Sequence, residues 1–215
     1  MSEPLATAVL AGSDDAVALL VKLVEHPTEN PPGDTAAAME WLAQYLAERG
    51  HSVERHPVPQ AFARNYRLGE VENLVVRREF GLGPTIALSA PIDTLPAGSS
   101  WNRDPFGAEI RDGQLYGRGA RDSKADVAAY VAVLEALNAA GCRHGTLELH
   151  ITADEESGGF LGPAFLLGQG LAQPDAVIAA GTSHQVVVGQ HGVLHLEVVL
   201  RGRQAHASRP QDGRD

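Results

Sequence analysis

Ile86-Ala87-Leu88-Ser89-Ala90-Pro91-Ile92-Asp93 is an apolar run that ends on a carboxylate. Residues 85–90 are apolar enough to be a central strand. Other strands are expected at 52–58, at Leu74-Val75-Val76, at 146–151 and at 176–180. Over 146–151, Leu147, Leu149 and Ile151 alternate with Thr146, Glu148 and His150, which predicts one buried face.

Helical spacing separates these strands. Ser13 is placed to cap a helix with Val17, Leu20, Val21 and Val24 on one face, ended by His26-Pro27. Asp34 or Thr35 caps a second through Met39, Leu42, Tyr45 and Leu46, closed by Gly50. A third runs over 124–139, and Gly162-Pro163 opens a short fourth through Leu167. Asp112-Gly113 tolerates positive φ and predicts a hairpin between Ile110 and Leu115. Strands alternating with helices give an α/β layer fold. Residues 193–200 change character, read as one long strand, and open a second domain.

Composition bounds the function. With 17 Lys+Arg against 27 Asp+Glu the net charge is −10, which argues against nucleic acid or an anionic membrane surface as partner. No apolar run is long enough to span a bilayer, and the N-terminus has no signal-peptide pattern. Cys142 is the single cysteine, so no intrachain disulfide forms; an inert thiol and a cytoplasmic location are expected.

The carboxylates carry the chemistry. Asp93 follows one strand, Asp122 sits in Gly117-Arg118-Gly119-Ala120-Arg121-Asp122-Ser123-Lys124, and Asp154-Glu155-Glu156 follows another strand. Amide hydrolysis needs an activated water, a proton shuttle and a stabilised oxyanion. A metal ion can supply the first and third, and a neighbouring carboxylate can act as base and then acid. Taken singly, each has a plainer reading. Adjacent glutamates fit a solvated face, Asp122 fits a helix N-cap, and Asp93 fits a loop aspartate accepting backbone N–H bonds.

Taken in order, these motifs resemble the M20 metallopeptidases and deacylases. The resemblance runs through 27–33, Asp93-Thr94-Leu95-Pro96-Ala97-Gly98, 101–106, 112–124, 152–158 and Gly202-Arg203-Gln204-Ala205-His206-Ala207-Ser208-Arg209-Pro210. It implies a three-layer α/β catalytic domain of the zinc-peptidase kind over 1–190, with a central mostly parallel sheet. The start of an α+β lid or dimerisation domain would follow over 191–215. It implies Zn2+, or Co2+ or Mn2+, as cofactor and hydrolysis of N-acyl amino acids or short peptides. Glu155 would be the general base, Asp122 a bridging metal ligand and Glu156 a ligand of one metal. Asp93 would be the carboxylate that accompanies the first histidine ligand, and His206 a lid histidine that helps hold the substrate carbonyl, often across a homodimer.

Two positions depart from the pattern that the resemblance implies. Pro91 stands where a histidine ligand is expected, and Ala180 where an acidic ligand is expected. Both ligands would serve the same metal. The other metal's histidine would come from a segment later than Asp215, so the chain is expected to be about half a family member, in need of a partner segment. His184 and His191 read as loop or strand-edge histidines. A non-catalytic homologue with a binding role is the alternative function.

Overall fold

Backbone hydrogen bonding and burial decide which parts of this pattern become elements. The computed structural model describes residues 3–181, 185–189, 192, 194, 196, 198–199 and 201–214. The helices are α1 (Glu3–Ala11), α2 (Ser13–Glu25), α3 (Ala36–Glu48), α4 (Gln60–Ala63), α5 (Lys124–Ala139) and α6 (Pro163–Gly168). The strands are β1 (Val53–Pro57), β2 (Glu72–Glu79), β3 (Thr85–Pro91), β4 (Glu109–Arg111), β5 (Gln114–Tyr116), β6 (Thr146–Thr152) and β7 (Ala176–Ala179). Residues Met1–Ser183 form one compact unit and His184–Asp215 a second.

Five strands of the first unit make a sheet in the order β1-β2-β6-β3-β7. β3 pairs in parallel with β6 and with β7, while β2 is antiparallel to both β1 and β6. Four strands therefore point one way and β2 opposes them. The carboxyl ends of β3, β6 and β7 share one edge, the usual place for a site in a parallel sheet. β4 and β5 form a separate hairpin whose turn residues, Asp112 and Gly113, take φ of 51° and 74°.

The sheet has two unlike faces. Leu74, Val76, Leu88, Ala90, Leu147, Leu149 and Ile151 pack with Leu19 and Leu23 of α2, Met39, Leu42 and Leu46 of α3, and Val127, Val131 and Leu134 of α5. On the other face Asn73 donates to Leu161 O at 2.8 Å and Arg77 to Leu171 O at 3.2 Å, which ties down the segment carrying α6. Helices on both sides of a central sheet make the three-layer α/β arrangement.

Three expectations change. Glu148 and His150 do not face solvent; both are buried under the α6 side. The Glu148 carboxylate accepts Arg77 Nε at 2.6 Å and lies 2.7 Å from His150 Nε2. Burial pushes its carboxyl up, but these partners outweigh that, and its pKa lies below the ordinary carboxylate value. Gly12, not Ser13, caps α2, because α1 already runs up to it; the Ser13 hydroxyl donates back to Leu10 O at 2.9 Å. The buried face of α2 is Leu19, Leu23 and Val24, leaving Val17 exposed. Of the strand expected over 193–200, residues 193, 195, 197 and 200 lie outside the described residues, and those described there belong to no regular element.

Candidate active site at the carboxyl edge of the sheet

Asp93 stands two residues beyond β3, and Asp154, Glu155 and Glu156 follow β6. Parallel register sets Pro91 beside Thr152, and Ile92 N donates to Thr152 O at 2.8 Å. The two loops therefore leave the sheet side by side. Asp93 is buried, and its carboxylate stitches them together. Oδ1 accepts Glu155 N and Oδ2 accepts Glu156 N, each at 3.2 Å. The plain reading of Asp93, an acceptor of backbone N–H bonds, and the functional one thus coincide: the donors are the two glutamates of the motif.

Asn30 completes this clamp. Its Nδ2 donates to Asp93 Oδ2 at 2.9 Å, and its Oδ1 accepts the Ser157 hydroxyl at 2.8 Å. Thr28 Oγ1 donates to Ile92 O at 2.7 Å, and Asn30 N donates to Thr94 O at 2.7 Å. Residues 28–30, within the 27–33 stretch of the resemblance, therefore bind the loop that carries Asp93. A buried carboxylate needs donors, and that need is the signal that points to a polar residue in the 27–33 stretch.

Asp122 ends the turn before α5. The N-cap of that helix is Ser123 rather than Asp122, and the Ser123 hydroxyl donates to Asp122 Oδ1 at 2.8 Å. Gly119 in the same turn has φ of 77°, and a side chain there would run into Thr94 Cγ2. Lys124 is fully buried and donates Nζ to His26 O at 2.8 Å. Burial lowers its pKa to about 8, against the opposing pull of Asp93.

The electrostatics show which carboxylates share a field. Burial raises the Glu155 carboxyl, and Glu156, Asp93 and Asp122 raise it further. Glu156 is raised by burial and by Asp93, and held back by the N–H of Leu95, 3.1 Å from Oε1, and by Arg118. Asp154 is raised by burial and by Asp93; its Oδ2 accepts Leu161 N at 2.7 Å while Oδ1 is buried without a partner. Glu155 and Asp122 keep much of their surface exposed at the rim.

Pro91 closes β3, and Ala180 follows β7, its N donating to Ser89 O at 2.8 Å. Both stand at the edge that carries the carboxylates, and neither has a donor atom for a metal. Among the described residues no group of three or more His, Cys, Asp and Glu is placed to hold a metal ion. Zinc sites take three or four protein ligands, so the described residues do not by themselves complete one. His184 and His191 lie outside the described residues.

His206 belongs to the second unit and is exposed. Its Nδ1 accepts Ser208 N at 3.2 Å and lies 2.8 Å from the Ser208 hydroxyl. Acceptance at Nδ1 assigns the proton of the neutral ring to Nε2, leaving an N–H directed away from the backbone. In the same unit Arg203 and Arg214 exchange backbone hydrogen bonds of 2.8 and 3.0 Å.

Known proteins are similar to this chain in sequence and in fold. The chain is 36% identical over 151 residues to a succinyl-diaminopimelate desuccinylase of Wolinella succinogenes, covering 65% of this chain and 40% of the relative. It is 32% identical over 213 residues to the desuccinylase of Phenylobacterium zucineum, covering 94% and 52%. The chain thus spans about half the length of the curated relatives it matches. An M20 family metallo-carboxypeptidase from Sulfolobus solfataricus superposes with a TM-score of 0.63 at 19% identity, over 84% of this chain and 38% of that one. A dinuclear metal-binding peptidase of the M20 family from Bacillus subtilis gives 0.54 at 22%, over 79% and 43%. The profile described as peptidase family M20/M25/M40 matches residues 87–203, more than half of the sequence, and the chain belongs to that family.

Proposed function

We propose that this chain carries the hydrolytic centre of a metal-dependent amide hydrolase acting on N-acyl amino acids or short peptides. The observation that carries the reading is the Asp93 clamp. One buried carboxylate fixes the backbone of Glu155 and Glu156 together, with Glu155 at the solvent rim and its pKa raised by burial and by three neighbouring carboxylates. A carboxyl group raised in this way is a better proton acceptor at neutral pH than an ordinary glutamate. In this reading Glu155 takes a proton from the attacking water and returns it to the leaving amine. Asp93 keeps the Glu155–Glu156 loop in register while this happens. His206 of the second unit would, as the family resemblance implies, help hold the substrate carbonyl.

A divalent cation, Zn2+ or else Co2+ or Mn2+, belongs to the reading. When bound it would acidify water and polarise the carbonyl. Asp122 and Glu156 are its candidate ligands, and the rest of the ligand set would come from outside the described residues. We assign 191–215 as the beginning of a lid or dimerisation domain that pairs two copies, and place the protein in the cytoplasm on the strength of its single cysteine. Among the described residues no helix is long and apolar enough to cross a membrane.

The test is amine release from a panel of N-acetyl, N-succinyl and dipeptide substrates, with each of the three cations added in turn. Release from at least one class is expected. Silence across the whole panel overturns the catalytic reading and leaves the non-catalytic homologue.

A further inference from the structure

A cavity of about 320 Å3 opens between α2, α3 and α5, on the apolar side of the sheet. That volume is in the range of small-molecule sites. Leu19 and Val131, both buried, form its floor. Asp15, Tyr45, Arg49 and Glu135 also line it, and each keeps part of its surface in solvent. None of these residues belongs to the carboxylate edge. Val131 and Glu135 lie about 10 and 16 Å along α5 from Lys124, where that helix leaves the Asp122 turn.

The charges around this cavity are held in place without being spent on one another. The Arg49 guanidinium stands 3.7 Å from the Tyr45 ring centroid, a cation–π contact that fixes its position. Tyr45 in turn packs on Trp41, ring centroids 5.4 Å apart. Glu135 is fixed through Oε1, 2.8 Å from His51 Nε2. Asp15 and Arg49 line the same cavity, yet among the described residues neither forms an ion pair, unlike Arg55 with Glu40 and Glu72. Burial raises the Tyr45 phenol, Arg49 lowers it, and Asp15 and Glu135 raise it, so both signs of charge reach one hydroxyl.

This combination selects a ligand class. An ammonium needs the acceptors that Asp15 and Glu135 supply, and a carboxylate needs the planar donors of Arg49. A simple cation would meet Arg49 as a like charge, and a simple anion would meet two carboxylates. A zwitterion satisfies both, and the apolar floor suits an aliphatic body. We propose that the cavity between α2, α3 and α5 binds a free α-amino acid with an aliphatic side chain. Its ammonium lies by Asp15 and Glu135, its carboxylate on Arg49 and its side chain against Leu19 and Val131. The inference does not rest on the hydrolase reading.

Three probes share one carbon skeleton: L-leucine, 3-methylbutylamine, which lacks the carboxylate, and 4-methylpentanoate, which lacks the ammonium. None carries an amide bond, so the hydrolase reading stands or falls separately. Dissociation constants are measured for the wild-type chain, Arg49→Gln, Asp15→Asn and Ala132→Leu, and the Leu19 and Val131 methyl resonances are followed. L-Leucine is expected to bind one to one, about tenfold or more tightly than either analogue, and to shift both sets of methyls. Arg49→Gln should bring leucine down to the level of the amine, and Asp15→Asn should weaken it toward the level of the acid. Ala132→Leu, which fills the cavity from α5, should abolish binding. No binding of leucine, binding no tighter than that of the amine or the acid, or binding that survives Arg49→Gln overturns the proposal. Should a variant not fold, the wild-type methyls decide, since they must shift with leucine at a concentration where neither analogue moves them.

Discussion

Asn30 uses both ends of its side-chain amide inside the site, one on Asp93 and one on Ser157. Asn30→Ala leaves a buried carboxylate short of a donor and a hydroxyl short of an acceptor. A loss of about 1–3 kcal/mol is expected, read as a lower urea midpoint with an unchanged m-value. Glu148 gives a prediction whose sign is fixed by its pKa. The folded-state value is depressed, so its stabilisation is present above the ordinary carboxylate range and is lost as pH falls through the folded value. Glu148→Gln should cost about 1–2 kcal/mol near neutrality, since it removes one charge partner from Arg77, which is partly exposed and keeps Glu54. The gap between wild type and variant should narrow as pH drops from the unfolded carboxylate value downward; a pH-independent gap in denaturant midpoints would assign Glu148 a packing role alone. At this scale the sequence displays Asp93, Asp122, Glu155 and Glu156 because they sit in ordered motifs. Asn30 lies in the 27–33 stretch of the resemblance, but its contact with Asp93 is hidden because that partner is 63 positions away.

β6 shows why an element is more than its pattern. Its alternating leucines and polar residues describe a half-exposed strand, yet it is the middle strand of five, with β2 and β3 on its flanks and helical layers over both faces. The polar residues could be buried because Arg77, on the neighbouring strand, supplies the charge that Glu148 needs. That complementarity is long-range and no local period reports it. β3, α3, α5 and the β4–β5 hairpin were legible because their burial follows local spacing or turn chemistry. α2 was placed correctly along the chain and rotated wrongly, since α5 rather than hydropathy selects the face that packs. Position in the sheet sets the cost of mutation. Leu149→Ala in β6, at 1% exposure, should cost about 2–5 kcal/mol. Ile178→Thr in the edge strand β7, at 56% exposure, should cost no more than about 0.5 kcal/mol. Thermal unfolding of the two variants checks the contrast, and equal losses would contradict the strand order.

Taken whole, the molecule gathers the paired glutamates and Asp93 at one sheet edge and places Pro91 and Ala180 at neighbouring strand ends. Fold and family were both legible in the sequence, the first from alternating periods and the second from ordered motifs. The division of the site between the described carboxylates and whatever else holds a cation was not, because ligand sets depend on distances between segments far apart in the chain. The central claim is that Glu155 moves the proton in amide hydrolysis. It is tested most directly by amine release from the best substrate of the panel, wild type beside Glu155→Gln, with the same cation and matched unfolding midpoints. The account predicts turnover by the wild type and a loss of at least about a hundredfold in the variant. Equal rates in the two proteins would contradict it.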